Sequence, residues 1–327
     1  MKFRTEIEIS SSGKRIDYST PLMLAGSCFA EDIGRQFSYG KLPVLSNPFG
    51  VLYNPLSTAH SLDLIMQGRE FGEEDLYSHE GRYLSFSHDT GFSSRDPGEC
   101  LNRINRSVKS AHSFLAGASF LFLTFGTAWV FRWKEDNRVV ANCHKIPAAK
   151  FNRQLLKPEE ISSIWTDVAH KLLSFNSKLT IVFTISPVRH LKDGAHGNQL
   201  SKSTLMLAIE QLLNENSSLT YFPSYEIMLD ELRDYRFYNK DMVHPSGIAV
   251  EFIWEKLKHC YFTDETAGIY DRVAKIISAT EHIPMGNDEA DNKKFSRSML
   301  DKISKLKNDY PFVDLAREEE YFRNIQK

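Results

Sequence analysis

Four stretches of this chain, residues 21–25, 119–125, 179–185 and 219–223, are short, rich in branched and aromatic side chains, and free of charge. That pattern predicts strands buried on both faces, as in a parallel sheet. Between them the apolar residues return at helical spacing. Phe29, Ile33 and Phe37 form one stripe. Ile161, Ile164, Trp165 and Val168 form a second, opened by Pro158-Glu159-Glu160, a proline with acids in the first turn. Leu205, Ala208, Ile209 and Leu212 form a third, and Val250, Ile253, Trp254 and Leu257 a fourth. Strand alternating with helix predicts a three-layer α/β fold around a doubly wound, mostly parallel sheet.

Two stretches break the rhythm. Residues 129–133 and 139–143 flank the turn Glu135-Asp136-Asn137, which predicts an inserted hairpin. Residues 68–100 are rich in Gly, Ser, His and Asp with weak periodicity, and read as loop or lid. Beyond Thr263 the composition becomes charged and helical, with a break expected at Ile283-Pro284-Met285-Gly286-Asn287-Asp288. The reading therefore divides the chain into an α/β domain, 1–262, and a C-terminal helical extension, 263–327. The extension would pack on the core or mediate assembly, so an oligomer is one expected outcome.

Composition narrows the function classes. Of 327 residues, 42% are apolar and 25% charged, the values of a globular protein rather than a disordered one. A formal net charge of −2 provides no global field toward nucleic acid or an anionic membrane, and neither partner is expected. The four cysteines show no paired spacing and are too few for a disulfide framework. The start, Met1-Lys2-Phe3-Arg4-Thr5-Glu6-Ile7-Glu8, lacks the apolar run of a secretory signal, so a cytoplasmic protein with reduced thiols is expected. No H-E-x-x-H, G-x-G-x-x-G or P-loop pattern occurs, so neither metal nor cofactor is expected.

Chemistry concentrates in two short motifs. Leu22-Met23-Leu24-Ala25-Gly26-Ser27-Cys28-Phe29-Ala30 runs from a strand into a helix, with Ser27 at the carboxyl end of the strand, where open α/β sheets bind ligands. Asp241-Met242-Val243-His244-Pro245 sets a carboxylate three residues before an imidazole. Together they supply a hydroxyl nucleophile, a base and an acid that orients the base. Ser27 also fits a plain helix cap, and Asp241 and His244 fit a solvated loop. Cys28 would present its backbone N–H to an oxyanion, its thiol reading as a small buried side chain. His144, Lys145, Arg189 and His190 fall near predicted carboxyl edges and are candidates for substrate binding.

The segment Gly26-Ser27-Cys28-Phe29-Ala30 resembles the GSCFA family, a group of bacterial proteins similar to the SGNH (GDSL-like) hydrolases. The resemblance extends through Asn47-Pro48-Phe49-Gly50, Phe125-Gly126-Thr127-Ala128-Trp129, Asn142-Cys143-His144-Lys145, Ser186-Pro187-Val188-Arg189-His190 and Asp241-Met242-Val243-His244, over roughly the first 260 residues. It implies an SGNH-hydrolase or flavodoxin-like sheet, with Ser27 as nucleophile and Asp241 and His244 as acid and base. It also implies Gly50 as a backbone oxyanion donor. The family pattern departs in two places: Ala-Gly-Ser replaces Gly-Asp-Ser, and Gly126-Thr127-Ala128-Trp129 lacks the asparagine of the third block. Thr127 or Asn142 is expected to replace that donor. The implied activity is hydrolysis of a carboxylic ester, a small molecule or O-acylated carbohydrate. An O-acyltransferase using the same triad and a non-catalytic binding protein are the alternatives.

Overall fold

The computed structural model describes residues 5–9, 13–281 and 289–326, with the backbone alone for Glu289. In chain order the strands are β1 (Leu22–Gly26), β2 (Val44–Ser46), β3 (Tyr77–His79), β4 (Arg82–Leu84), β5 (Phe120–Phe125), β6 (Trp129–Trp133), β7 (Val139–Val140), β8 (Phe151–Leu155), β9 (Thr180–Ile185) and β10 (Leu219–Phe222). The helices are α1 (Cys28–Tyr39), α2 (Pro55–Gln67), α3 (Pro97–Gly117), α4 (Pro158–Phe175), α5 (Gly194–Glu215), the single turn α6 (Ser224–Glu226), α7 (Gly247–Tyr261), α8 (Asp264–Glu281), α9 (Glu289–Asp309) and α10 (Ala316–Ile325).

The chain folds as two compact units, residues 1–10, 21–34 and 44–257 in the first, residues 11–20, 35–43 and 258–327 in the second. The expected division at 262 compares with one at 257, and the second unit takes two earlier stretches that no local pattern marks. Long-range bonds within that unit explain its membership. Ile16 donates its N–H to Tyr261 O (2.7 Å), and the Tyr18 hydroxyl donates to Gly40 O (2.8 Å).

The first unit is built on a five-stranded parallel sheet in the order β10-β9-β5-β1-β2, flanked by helices. Numbered by their succession in the sheet, these strands run 2-1-3-4-5, the flavodoxin-like winding. The order reverses between β1 and β5, and ligands of such sheets bind beyond the carboxyl ends at that reversal. Alternate residues of the strands, Met23, Leu121, Leu123, Ile181 and Phe183, share a core with Ile104 and Val108 of α3 and Trp165 of α4. Leu22, Leu24, Phe120 and Val182, which alternate with them, are equally buried, so both faces are covered.

The inserted hairpin is present and larger than expected. β6 pairs antiparallel with β7 and also with β8, making a three-stranded sheet over a small core of Trp133, Val140, Ile146 and Phe151. Residues 68–100 are not a plain loop: β3 and β4 form a hairpin there, and α3 opens at Pro97 behind an Asp96 cap. The second unit buries Ile269, Val273, Ile276, Ile303, Leu306 and Phe322 between α8, α9 and α10, in keeping with its helical composition. The break expected at residues 283–288 lies outside the described residues. Among the described residues no helix is long and apolar enough to cross a membrane.

Candidate functional site

The carboxyl end of β1 is tied down on every side. Gly26 donates its N–H to Asn47 Oδ1 (2.9 Å), its carbonyl accepts from Leu52 N–H (2.8 Å), and Ser27 donates its N–H to Thr124 O (3.0 Å). Gly26 has φ +136°, and a Cβ there would meet Thr124 O at 2.1 Å, so only glycine lets the two strands close at the reversal point. Ser27 is fully buried, and its Oγ accepts the Phe29 N–H (3.3 Å), the position of a helix cap at the start of α1.

Asp241 and His244 lie on the loop leading into α7. The Asp241 carboxylate accepts from His244 Nδ1 (2.7 Å) and from the backbone N–H groups of Val243 (2.9 Å) and His244 (3.0 Å). The two backbone bonds and the ring contact hold its pKa down at about 2. The ring is thereby fixed with Nδ1–H toward the carboxylate and Nε2 free to act as a base. Both side chains are nearly half exposed, at 45% and 49%.

A cavity of about 390 Å³ opens beyond the carboxyl edge, walled by Tyr53, Thr127, Trp129, Arg189, His190 and His244 among others. Ser27 lies behind this wall rather than in it. Three atoms pack against Gly126: a Cβ placed there would sit 3.0 Å from Tyr53 O, 3.3 Å from His190 Nε2 and 3.4 Å from Ser27 Cβ. The structure thus joins Asp241 to His244 and packs both Ser27 and His190 against Gly126. Among the described residues no hydrogen bond joins Ser27 to His244.

The remaining candidates separate clearly. Arg189 and His190 line the cavity, and Arg189 donates its N–H to Val243 O (3.1 Å), tying the loop after β9 to the Asp–His loop. His144 and Lys145 do not line it. His144 is buried with Nε2 3.0 Å from Ser85 O, and Lys145 is exposed. Asn142 lines the cavity, its Oδ1 accepting the His144 N–H (2.7 Å). Gly50 spends its N–H on Asn47 O (2.8 Å), and Gly126 and Thr127 both donate theirs to Tyr53 O (2.8 and 2.9 Å). Thr127 Oγ1 pairs with Ser201 Oγ (3.0 Å). Burial, then the Asp32 and Glu31 carboxylates, push the Cys28 thiol up to about 11, which keeps it protonated. The region 68–100 contributes nothing to this wall; it borders a separate cavity of about 510 Å³ with Arg138 and Val139.

Lys202 of α5 escaped the sequence reading. It is fully buried, its Nζ donates to Gly126 O and Ser186 O (2.7 Å each), and desolvation lowers its pKa to about 7. It clasps the carboxyl ends of β5 and β9 directly beneath the site. A signal was available: Lys202 precedes Leu205 and Ile209 by three and seven residues, so a charge stands on the core face of an amphipathic helix. Among the described residues no cluster of three or more His, Cys, Asp or Glu could hold a metal ion.

A doubly wound α/β domain with an Asp–His pair at a cavity beyond the carboxyl edge of its sheet is the class the fold defines. The family model described as GSCFA family matches residues 21–257, and one described as GSCFA domain protein, C-terminal domain, matches residues 273–326. The chain belongs to the GSCFA family. No curated protein matches it in sequence. Among solved structures it is similar to an acetyl xylan esterase from the rumen bacterium Butyrivibrio proteoclasticus, at 8% identity and a TM-score of 0.36. That similarity covers 77% of this chain and 64% of the esterase, so less than two thirds of the esterase's length is spanned.

Proposed function

We propose that this protein is a serine-dependent hydrolase of carboxylic esters of the SGNH type, with Ser27 as nucleophile, His244 as base and Asp241 as the group that orients the base. The observation that carries this reading is the 2.7 Å bond between Asp241 and His244 Nδ1, at a cavity whose rear wall adjoins Ser27. His244 Nε2 takes the Ser27 proton as Oγ attacks the acyl carbon. The collapsing intermediate expels the alcohol, which leaves with that proton, and water then releases the acid by the same route. Reaction requires Ser27 to release the Phe29 N–H and turn toward the cavity while the half-exposed His244 swings inward. Aromatic walls at Tyr53, Trp129 and Phe131 with Arg189 and Lys192 at the rim suit a compact O-acyl group on a polar carrier such as a sugar. Residues 68–100 lie outside this wall, so the enclosure that an acyltransferase would need has no support from that stretch.

One observation favours a non-catalytic binding protein instead, namely the engagement of Ser27 Oγ as a buried cap. A fluorophosphonate probe separates the two. We expect the wild type to label and Ser27→Ala to lose labelling, with p-nitrophenyl acetate hydrolysis falling by at least about 10³-fold. Absence of Ser27-dependent labelling establishes the binding protein.

A further inference from the structure

The third sequence block lacks the asparagine that would supply a side-chain donor, and the backbone at that point offers no replacement. Gly126 and Thr127 both give their N–H groups to Tyr53 O, and Gly50 gives its own to Asn47 O. The Thr127 hydroxyl is held by Ser201 and accepts the Trp129 N–H (3.1 Å). Yet the gap beside Ser27 contains one polar atom with nothing to bond. His190 Nε2 is buried without a hydrogen-bond partner among the described residues, and it packs against Gly126 with Tyr53 O and Ser27 Cβ: a Cβ placed on that glycine would meet them at 3.3, 3.0 and 3.4 Å. A buried nitrogen left unmatched costs stability and calls for a partner that arrives later.

We propose that His190 is a catalytic residue whose Nε2–H donates a hydrogen bond to the developing oxyanion in place of the absent asparagine, a role that rests on the serine-hydrolase reading above. Its position is prepared in advance. The backbone N–H donates to Asn198 Oδ1 (2.8 Å), and the ring stands edge-on to Tyr53 with centroids 5.8 Å apart. Burial, then the charges of Lys202 and His244, lower its pKa to about 4, so the imidazole is neutral and carries a single proton. A neutral ring with so low a pKa is a poor base toward Ser27 but a good hydrogen-bond donor to an oxygen gaining charge, and no bond need form or break at the ring. Asn142 lines the same cavity, but it is His190 that shares the space beside Gly126 with Ser27.

The test compares His190→Ala and His190→Gln in the full chain, with p-nitrophenyl acetate as substrate and thermal melts as the control for folding. His190→Ala should lower kcat by about 10²–10³ with KM little changed. His190→Gln, whose amide restores an N–H, should recover at least about tenfold of that loss. Retention of activity in His190→Ala, or no recovery in His190→Gln when both melt like the wild type, overturns the role while Ser27-dependent turnover of the wild type upholds the hydrolase. A wild type without Ser27-dependent turnover overturns both.

Discussion

The two halves of the proposed catalytic apparatus are built in opposite ways. The Ser27 edge is buried, glycine-hinged and fully hydrogen-bonded, with Asn47, Leu52 and Thr124 each holding one backbone group. The Asp241–His244 loop is exposed, bends through Met242 at φ +59°, and is tied to the rest of the unit through Arg189 and the short bridge from Tyr238 to Pro245. The proposed nucleophile stands on a backbone held by several hydrogen bonds, whereas the proposed base stands on a loop with an exposed surface.

The sharpest way to break this comparison is Asp241→Asn. It should leave the fold intact and cost about 10²–10⁴ in kcat, because the ring loses the partner that fixes its tautomer. The carboxyl is depressed to about 2, so its contribution to holding the loop is complete above the ordinary value of 3.8 and is lost only as pH falls toward 2. No inflection of the rate between about pH 5 and 8 should therefore belong to Asp241. A rate profile of the wild type with an inflection in that range that Asp241→Asn removes would contradict this.

Backbone substitutions should distinguish the rigid edge from the loop. Gly26→Ala forces a Cβ onto Thr124 O and should lose at least about 2 kcal/mol in denaturant melts. Met242→Gly relieves a strained φ at an exposed position and should change stability by less than about 1 kcal/mol. Equal effects would mean that the two regions are not differently constrained.

A pH-dependent effect concerns Lys202. Its native pKa, about 7, lies below the ordinary 10.5, so the unfolded chain binds more protons between these values, and this group's contribution to stability rises with pH across that window. The melting temperature of the wild type relative to Lys202→Met should therefore increase from pH 7 to 10. A constant difference would mean that the buried amine stays charged.

The strands of the main sheet were legible because a strand covered on both faces leaves an unbroken apolar run; β1, β5, β9 and β10 lie within a residue or so of their expected ends. β2 was not, since three half-buried residues carry no periodicity. α3 could have been read from Ile104, Val108, Ala111 and Leu115 behind the Asp96-Pro97 start, but the polar stretch before it masked the signal. At the site, the Asp–His pair was visible because its partners are three residues apart. The neighbours of Ser27 were not, because Asn47, Gly126, His190 and Lys202 follow β2, β5 and β9 or stand on α5, and only the strand order of the sheet brings them together. The second unit's N-terminal stretches were hidden for the same reason: their bonds reach more than two hundred residues along the chain.

The insertion of β6, β7 and β8 immediately after β5 supplies Trp129, Phe131, Asn142 and Arg153 to the cavity and none of the proposed triad. Part of the cavity wall and the proposed triad thus lie on separate pieces of polypeptide. On the proposed mechanism, remodelling this antiparallel flap would change which molecules are admitted and leave the three proposed reactive groups where they are.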